Sequence, residues 1–267
     1  MTRMSRKLFD MNTQHFLLAV SFLTRVPVHF KQEIEDNALS EASGYFALVG
    51  LLLGFALAVI FGVASLILPP SVCVILTLAL GILITGAFHE DGFADVWDGF
   101  GGGWTVSQKL SIMKDSRLGT YGASALILLL LLKFQLLSLL SDSSTQVLCA
   151  LILGHTLSRA VATSIIGKLA YVQEDAQSKV KPVAMSLSSH AKDFLALTSL
   201  CVLFVLWLFT PLSLMSVIIL VAVLFLTRQL CISWFKQQLG GYTGDCLGAA
   251  QQCCEIMIYL TLVALWV

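Results

Sequence analysis

Long runs of apolar residues, separated by a few polar stretches, dominate the chain. A helix needs about 20 mostly apolar residues to cross the hydrocarbon core of a bilayer, and seven runs approach or exceed that length. They cover residues 44–68, 72–88, 118–140, 145–167, 193–210, 212–233 and 249–267. The pattern predicts an all-α fold, a polytopic membrane bundle of about seven transmembrane helices, in which residues 1–267 form a single integral membrane domain.

The polar stretches between these runs are of two kinds. Three links are short and hold one charged residue, Asp142. The longer regions hold all but three of the 16 lysines and arginines, and they are 1–43, 89–117, 168–192 and 234–248. Seven spans would place these four regions on one side of the membrane, and the positive-inside rule makes that side the cytoplasm. Within the first region we expect residues 15–30 to form an interfacial or re-entrant helix.

Composition agrees with a membrane protein. Hydrophobic residues make up 57% of the chain and charged residues 12%, about half the charged fraction of a soluble domain; the mean hydropathy is +0.88. The formal net charge is zero, which speaks against nucleic acid as a partner and leaves membrane lipid as the expected surroundings. The seven cysteines form no CxxC pair, so we predict neither a disulfide framework nor a zinc site.

Three aspartates follow directly on the second apolar run. Asp91, Asp95 and Asp98 are spaced i, i+4 and i+7, which places them on one narrow face if the segment is helical. Carboxylates so close repel one another, and Mg²⁺, which prefers carboxylate and phosphate oxygens, would offset that repulsion. We therefore predict a metal site in an acidic loop over 89–117, with a solvated acidic face as the alternative. His89 would point to the other side, where it caps the helix or contacts substrate.

Further charged residues fit the handling of phosphate. Asp115 is a candidate fourth metal ligand or proton acceptor, and Lys114 and Arg117 on either side of it suit a phosphate group. Basic residues at this position also serve as ordinary membrane anchors. Arg159 lies inside the fourth span, where an arginine is costly and indicates a function, either binding of a substrate phosphate or pairing with an aspartate.

The last polar region, 234–248, is predicted to be a glycine-rich loop. Its glycines allow close backbone approach, and Asp245 adds another carboxylate. Glu255 follows inside the seventh span and needs a partner there, either Arg159 or a metal ion. Lys133, alone in the third span, receives no predicted role.

Three motifs occur in order along the chain. They are His89-x-Asp91-Gly92-x-Ala94-Asp95-x-x-Asp98-Gly99, Asp115-Ser116-Arg117-x-Gly119-Thr120 and Gly240-Gly241-x-Thr243-Gly244-Asp245-x-Leu247-Gly248-Ala249. With the opening Phe22-Leu23-Thr24-Arg25-Val26-Pro27 and with Ser158-Arg159, they make nearly the whole chain resemble the cobalamin synthase family, the adenosylcobinamide-GDP ribazoletransferases. The resemblance implies a Mg²⁺-dependent transferase of the bacterial inner membrane, with its active-site loops in the cytoplasm.

The resemblance also implies a reaction, and for that reaction the residue patterns above give a predicted set of site residues. Members join adenosylcobinamide-GDP to α-ribazole or its 5′-phosphate, and they give adenosylcobalamin or its 5′-phosphate and GMP. The catalytic residues and Mg²⁺ ligands would be Asp91, Asp95, Asp98 and Asp115. The substrate-binding residues would be His89, Lys114, Arg117, Arg159, Thr243 and Asp245.

Two other functions remain open on the residues alone. One is an enzyme of lipid synthesis related to the CDP-alcohol phosphotransferases, whose aspartate signature differs from this one around Phe93 and Asp95. The other is a divalent-cation transporter whose acidic residues line a path. The sequence leaves the oligomeric state open, a homo-oligomer included.

Overall fold

A computed structural model describes residues 3–30, 38–172 and 186–267. These residues form eleven α-helices, and a short 3-10 turn, Ser43–Tyr45, joins the second to the third. The helices are α1 (Arg3–Leu23), α2 (Ala38–Ala42), α3 (Phe46–Ala64), α4 (Pro70–Thr85), α5 (Phe88–Gly102), α6 (Val106–Met113), α7 (Thr120–Leu140), α8 (Ser144–Thr163), α9 (Ser189–Phe209), α10 (Leu214–Leu239) and α11 (Gly244–Trp266). The described part contains no strand beyond an isolated bridge between Tyr171 and Tyr242, which confirms the all-α prediction.

Six stretches within the described ranges are long and apolar enough to cross a membrane, and they contain α3, α7, α8, α9, α10 and α11. The predicted second span corresponds to α4. With 16 residues it reaches about 24 Å, short of the roughly 30 Å hydrocarbon core. Together α4 and α5 pass the same test, but they are bent by 87° at their junction. The chain is thus a polytopic membrane protein with six spans, or seven if this bent pair counts as one.

Two residues in the left-handed conformation turn the chain between α4 and α5. Gly86, with φ of 67°, ends α4, and Ala87, with φ of 59°, comes directly before α5. A positive φ is uncommon for a residue with a side chain, so surrounding contacts must hold this bend. One of them is the Arg25 amide, which donates to the Ile84 carbonyl at 2.7 Å. The bend lets a polar helix continue directly from an apolar one.

Helices α8 and α11 form the centre of the bundle. Their most apolar windows are 72% and 67% buried, against 28% for each of α7, α9 and α10. Glycines allow α3 to pack closely against α8. A Cβ on Gly50 would lie 2.1 Å from the His155 carbonyl oxygen, and one on Gly54 would lie 2.6 Å from that of Leu151. Small residues commonly permit such close packing of membrane helices.

The four polar regions meet at one end of the bundle. The hydrogen bonds between them include those from Ser40 Oγ to the Ser186 carbonyl, from Lys109 Nζ to Gln238 Oε1 and from the Val172 amide to the Tyr242 carbonyl. The described parts of the four regions thus lie at the same end of the apolar bundle, as the sequence analysis expects.

Two of these regions are more helical than predicted. Residues 89–117 form most of α5 and all of α6, and only 240–243 separate α10 from α11. Within 89–117 the aspartate spacing already predicts a helical face, and the helix extends further because α5 has an apolar side, with Phe93 and Val96 buried in a cluster with α10. That burial stabilises a helix in spite of its polar composition.

The N-terminal prediction holds only in part. The helix expected over 15–30 ends at Leu23, and α1 is not among the candidate membrane spans. Ala19 and Leu23 are buried against α3, so this helix packs on the bundle. Within the predicted polar regions, residues 31–37 and 173–185 lie outside the described part of the chain.

Candidate active site

Helix α5 carries three aspartates on one face, as the spacing predicts. Asp91 is exposed, Asp95 is half-buried and Asp98 is buried. Across the described ranges, no lysine or arginine forms an ion pair with any of the three. We call this side of α5 the acidic face.

The N-terminus of α11 brings a fourth carboxylate to the acidic face. A Cβ on Gly92 would lie 3.0 Å from the Asp245 Cα, so the absence of a side chain at Gly92 lets α11 approach α5. Gly248 lies next to Gly92 and to the backbone of His89 in the same way. Residues more than 150 positions apart in the sequence thus form one site, which links the first and third motifs.

The pKa of Asp95 shows that the other three carboxylates act on it electrostatically. Partial burial, followed by the negative charges of Asp245, Asp91 and Asp98, raises the pKa of Asp95 from 3.8 to about 7. Opposite charges would lower it. A cation at the acidic face would relieve this repulsion.

Asp98 already has partners in the protein. Its two carboxylate oxygens accept hydrogen bonds from the amides of Gly119 and Gly122, each at 2.7 Å. These amides belong to the start of α7, where N–H groups lack partners within the helix and favour a negative charge. A Cβ on either glycine would collide with the Asp98 carboxylate. Asp98 thus caps α7 and fastens it to α5, a role that the sequence analysis did not predict.

Thr243 also has a capping role. Its side chain is buried, and its Oγ1 accepts a hydrogen bond from the Cys246 amide at the start of α11. A buried cap is poorly placed to contact a substrate. It fixes the first turn of α11, and Asp245 projects from that turn.

Asp115 stands apart from the shared field around Asp95. The guanidinium of Arg117 donates to its carboxylate, with Nε 3.0 Å from Oδ1, and the Arg117 amide donates to the same oxygen at 3.1 Å. These contacts lower the pKa of Asp115 to about 2. Lys114 and Arg117 are exposed on the short link between α6 and α7, where they are accessible to an anionic ligand.

The predicted ligand set does not appear as a ready-made metal site. Among the described residues, no three His, Cys, Asp or Glu side chains are grouped so that they could hold a metal ion. The Mg²⁺ ligands Asp91, Asp95, Asp98 and Asp115 therefore remain a prediction. Among the carboxylates near Asp95, Asp245 and then Asp91 act most strongly on its pKa.

The inward side of α5 joins a buried polar network. The Lys133 ammonium lies 2.9 Å from Glu255 Oε1 and 3.8 Å from Glu90 Oε1, and Gln252 Nε2 donates to the same Glu90 oxygen at 3.0 Å. All four side chains are buried. The network joins α5, α7 and α11 and gives Lys133 a role that the sequence analysis did not predict.

Glu255 lies at the centre of this network. It accepts hydrogen bonds from Tyr259 at 3.0 Å and from Gln251 at 2.8 Å, and Gln251 also donates to Ser158. The sequence analysis proposed Arg159 or a metal ion as its partner, whereas the structure places Lys133 there. The sequence contains one glutamate and one isolated lysine inside predicted spans. This could have predicted their pairing, since each buried charge needs an opposite charge.

Arg159 is buried in α8 and bonds mainly within its own helix. Its Nη1 donates to the His155 carbonyl at 3.0 Å and lies 3.2 Å from His155 Nδ1, while its Nε has no partner among the described residues. Arg159 and His89 both line two small cavities, of about 20 and 40 Å³. Space of that size holds one or a few waters. Arg159 and His89 would contact a nucleotide only if these cavities widened.

The chain is similar to known proteins along nearly its whole length. A family model described as cobalamin-5-phosphate synthase matches residues 15–263. Proteins named adenosylcobinamide-GDP ribazoletransferase are 49% identical in Shewanella frigidimarina (250 residues, 93% of this chain and 94% of that protein), 46% in Shewanella amazonensis (261 residues, 97% and 98%) and 47% in Vibrio cholerae (249 residues, 93% of each). No solved structure matches the chain.

Proposed function

The chain belongs to the cobalamin-5-phosphate synthase family, and we propose that it joins adenosylcobinamide-GDP to α-ribazole or α-ribazole 5′-phosphate. Its family match over residues 15–263 and its identity of 46–49% to named ribazoletransferases support this transferase activity. The structural observation that carries the proposal is the meeting of the first and third motifs at the acidic face, where Gly92 admits Asp245. The lipid-synthesis enzyme and the cation transporter are not needed to explain any feature of the chain.

The reaction is a displacement at phosphorus. A hydroxyl oxygen of the ribazole forms a bond to the phosphorus on the cobinamide side of the diphosphate, the bond from that phosphorus to the bridging oxygen breaks, and GMP leaves with that oxygen. The hydroxyl proton passes to a base or to water. Catalysis of such a step consists mostly of positioning and of stabilising negative charge.

We propose Mg²⁺ at the acidic face, held by Asp91 and Asp95 with Asp245 beside them. Within the described ranges Asp91 and Asp95 form no ion pair with a lysine or arginine, and Mg²⁺ prefers carboxylate oxygens of this kind. Burial and then the neighbouring negative charges raise the pKa of Asp95, and a cation would relieve the repulsion between those charges. When bound, Mg²⁺ would neutralise charge on the diphosphate oxygens. Asp98 would then hold α5 in position through its bonds to α7.

Asp115 is a weak candidate for the base in the arrangement observed. A carboxylate that accepts several hydrogen bonds from Arg117 holds a proton poorly, and general bases work best with a pKa near the operating pH. We propose instead that Asp115 orients Arg117. This arginine and Lys114, both exposed, would then bind the phosphate groups of the substrate.

We also propose a location for the polar end of the bundle. The named relatives are bacterial proteins, and the basic residues concentrate in the four regions that meet at this end. By the positive-inside rule these regions would face the cytoplasm from the inner membrane. There the acidic face would be accessible to soluble, charged substrates.

The test uses purified full-length protein in detergent or lipid vesicles. With adenosylcobinamide-GDP, α-ribazole and Mg²⁺, we expect equimolar adenosylcobalamin and GMP, identified by mass spectrometry. Replacing Mg²⁺ by a chelator should abolish turnover. Product formation at the same rate in the chelator would refute the metal but leave the transferase, whereas no product under any divalent cation would refute the transferase.

A further inference from the structure

A large groove runs between α8, α9 and α10, away from the acidic face. Its volume is about 720 Å³, in the range of small-molecule sites, roughly 300–1,000 Å³. Its walls are mostly apolar and include Leu157, Leu195, Leu203, Val221, Leu224 and Phe225. None of Asp91, Asp95, Asp98 and Asp245 lines it.

Three basic residues line the same groove. Lys168 and Lys192 are exposed, and Arg228 projects from α10 toward the end of α8. Its Nε donates to Ser164 Oγ at 2.7 Å and its Nη2 to the Ser164 carbonyl at 2.9 Å. The described lining contains no aspartate or glutamate. The groove therefore combines apolar walls with local positive charge.

The position of the charges matches a lipid headgroup. Ser164 is the residue that ends α8, so Arg228 lies level with the end of a membrane span. Lys168 follows that end closely, and Lys192 lies in the first turn of α9. With the membrane boundary at the end of α8, all three basic residues would lie where hydrocarbon gives way to headgroups.

The apolar part of the groove is continuous with the surface that faces lipid. Val221 and Phe225 line the groove and are still 49% and 60% exposed. A soluble peptide or nucleotide would have to enter past the membrane to reach these residues. An acyl chain of the surrounding bilayer would contact them directly.

We propose that this groove binds one anionic phospholipid, with its phosphate at Lys168, Lys192 and Arg228 and its acyl chain along α9 and α10. Charge complementarity selects an anionic headgroup over a zwitterionic one, since each basic residue near a membrane surface contributes separately to binding of anionic lipid. The bound lipid would brace the end of α8, where Arg228 already contacts Ser164. This inference does not depend on the reaction proposed above.

The experiment measures lipid retained by the purified full-length protein. Protein in detergent is titrated with phosphatidylglycerol or phosphatidylcholine of identical acyl chains, and bound lipid is counted by native mass spectrometry. We expect one phosphatidylglycerol and much weaker phosphatidylcholine binding. The variant Lys168→Gln/Lys192→Gln should weaken phosphatidylglycerol binding about 25-fold, or about five-fold for each charge removed.

Two further variants separate this site from general charge and from misfolding. Lys236→Gln removes an exposed basic residue of the same helix α10, outside the groove, and should bind phosphatidylglycerol like the wild type. Leu203→Trp should fill the groove and reduce binding of both lipids without removing any charge. Thermal unfolding checks that each variant is folded.

Three outcomes would overturn the proposal. They are equal binding of the two lipids, unchanged phosphatidylglycerol binding in the double-lysine variant, and displacement of the lipid by adenosylcobinamide-GDP at matched concentrations. The last would show that the groove belongs to the substrate site. Loss of turnover with intact lipid binding would count only against the proposed transferase, so the two ideas fail separately.

Discussion

Two faces of helix α5 carry acidic residues, and the negative charges have opposite surroundings on the two faces. On the inward side, Glu90 contacts Lys133 and Gln252, and every member of that network is buried. On the acidic face, Asp91 and Asp95 form no ion pair with a lysine or arginine in the described ranges. Glu90 and Asp91 are neighbours in sequence, yet one contributes to structure and the other is available for a ligand.

The difference follows from the surroundings of each charge. A charge buried within the bundle must find its partner inside the protein, because leaving it unpaired costs several kcal/mol. A half-exposed carboxylate is solvated without such a partner, and its charge remains available for a cation. The predictions below test this division between a structural and a functional side of α5.

The largest expected effect comes from breaking the buried network. Lys133→Met leaves Glu255 and Glu90 without their cation, and we expect the protein to lose about 3–5 kcal/mol of stability, because loss of one partner strands a buried charge. Thermal unfolding in detergent measures this loss. Lys133→Met/Glu255→Gln removes charge on both sides and should regain much of it. An unchanged unfolding midpoint in the single variant would contradict the structural role of this network.

On the acidic face, the effect should fall on turnover. Asp91→Asn keeps the size of an exposed side chain and removes its charge, so we expect stability close to the wild type and GMP release slowed about 10²–10³-fold, the scale for losing one electrostatic contact to a transition state. Asp142→Asn, on the exposed link between α7 and α8, is the matched control and should turn over normally. Turnover of Asp91→Asn near the control would remove Asp91 from the site.

Asp98 belongs to the acidic face by position and to the structural side by its contacts. In Asp98→Asn one of the two amides of α7 faces an NH₂ group, so we expect a loss of about 1–2 kcal/mol and a roughly tenfold slower reaction as α5 shifts. Ser213→Ala removes the N-terminal cap of α10, whose Oγ accepts from the Ser216 amide, and should lower stability without affecting turnover. A similar pattern in both variants would mean that Asp98 is only a cap.

The sequence predicts the elements well and their pairing poorly. Apolar run length identifies every span apart from the status of α4, and the i, i+4, i+7 spacing places three aspartates on one helical face. It does not reveal the bend at Gly86 and Ala87, which depends on packing against the segment around Arg25. Nor does the sequence show that the Gly119 and Gly122 amides donate to the Asp98 carboxylate, since that contact exists only once α5 packs against α7.

The same limit explains why the buried network was missed. Glu90, Lys133 and Glu255 lie on three helices separated by more than 40 residues each, and only the packing of α5, α7 and α11 brings them together. Asp245 was predicted to be a site residue from its motif, but the glycine contact that places it beside Asp95 is a tertiary feature.

The smallest effect, on the pH dependence of stability, probes the acidic face most directly. The folded protein raises the pKa of Asp95 from 3.8 to about 7, so the folded state keeps a proton that the unfolded chain releases. The stability of the folded state is therefore highest below about pH 4, where Asp95 is protonated in both states. It falls as the pH rises from about 4 to about 7, because only the folded state still holds the proton there. Because Asp95 is half-buried and screened by solvent, we expect a loss of about 1 kcal/mol in the free energy of unfolding, seen as a shift of roughly 2–4 °C in the unfolding midpoint.

Measured in a chelator between pH 5 and 8, the wild type should lose more stability than Asp95→Asn, while groups common to both proteins cancel in the difference. Mg²⁺ should stabilise the wild type at pH 8 and have little effect at pH 5, where the proton already occupies the carboxylate. Equal slopes for the two proteins would show that the carboxylates of the acidic face do not share a field, and the contrast between the two sides of α5 would then rest on turnover alone.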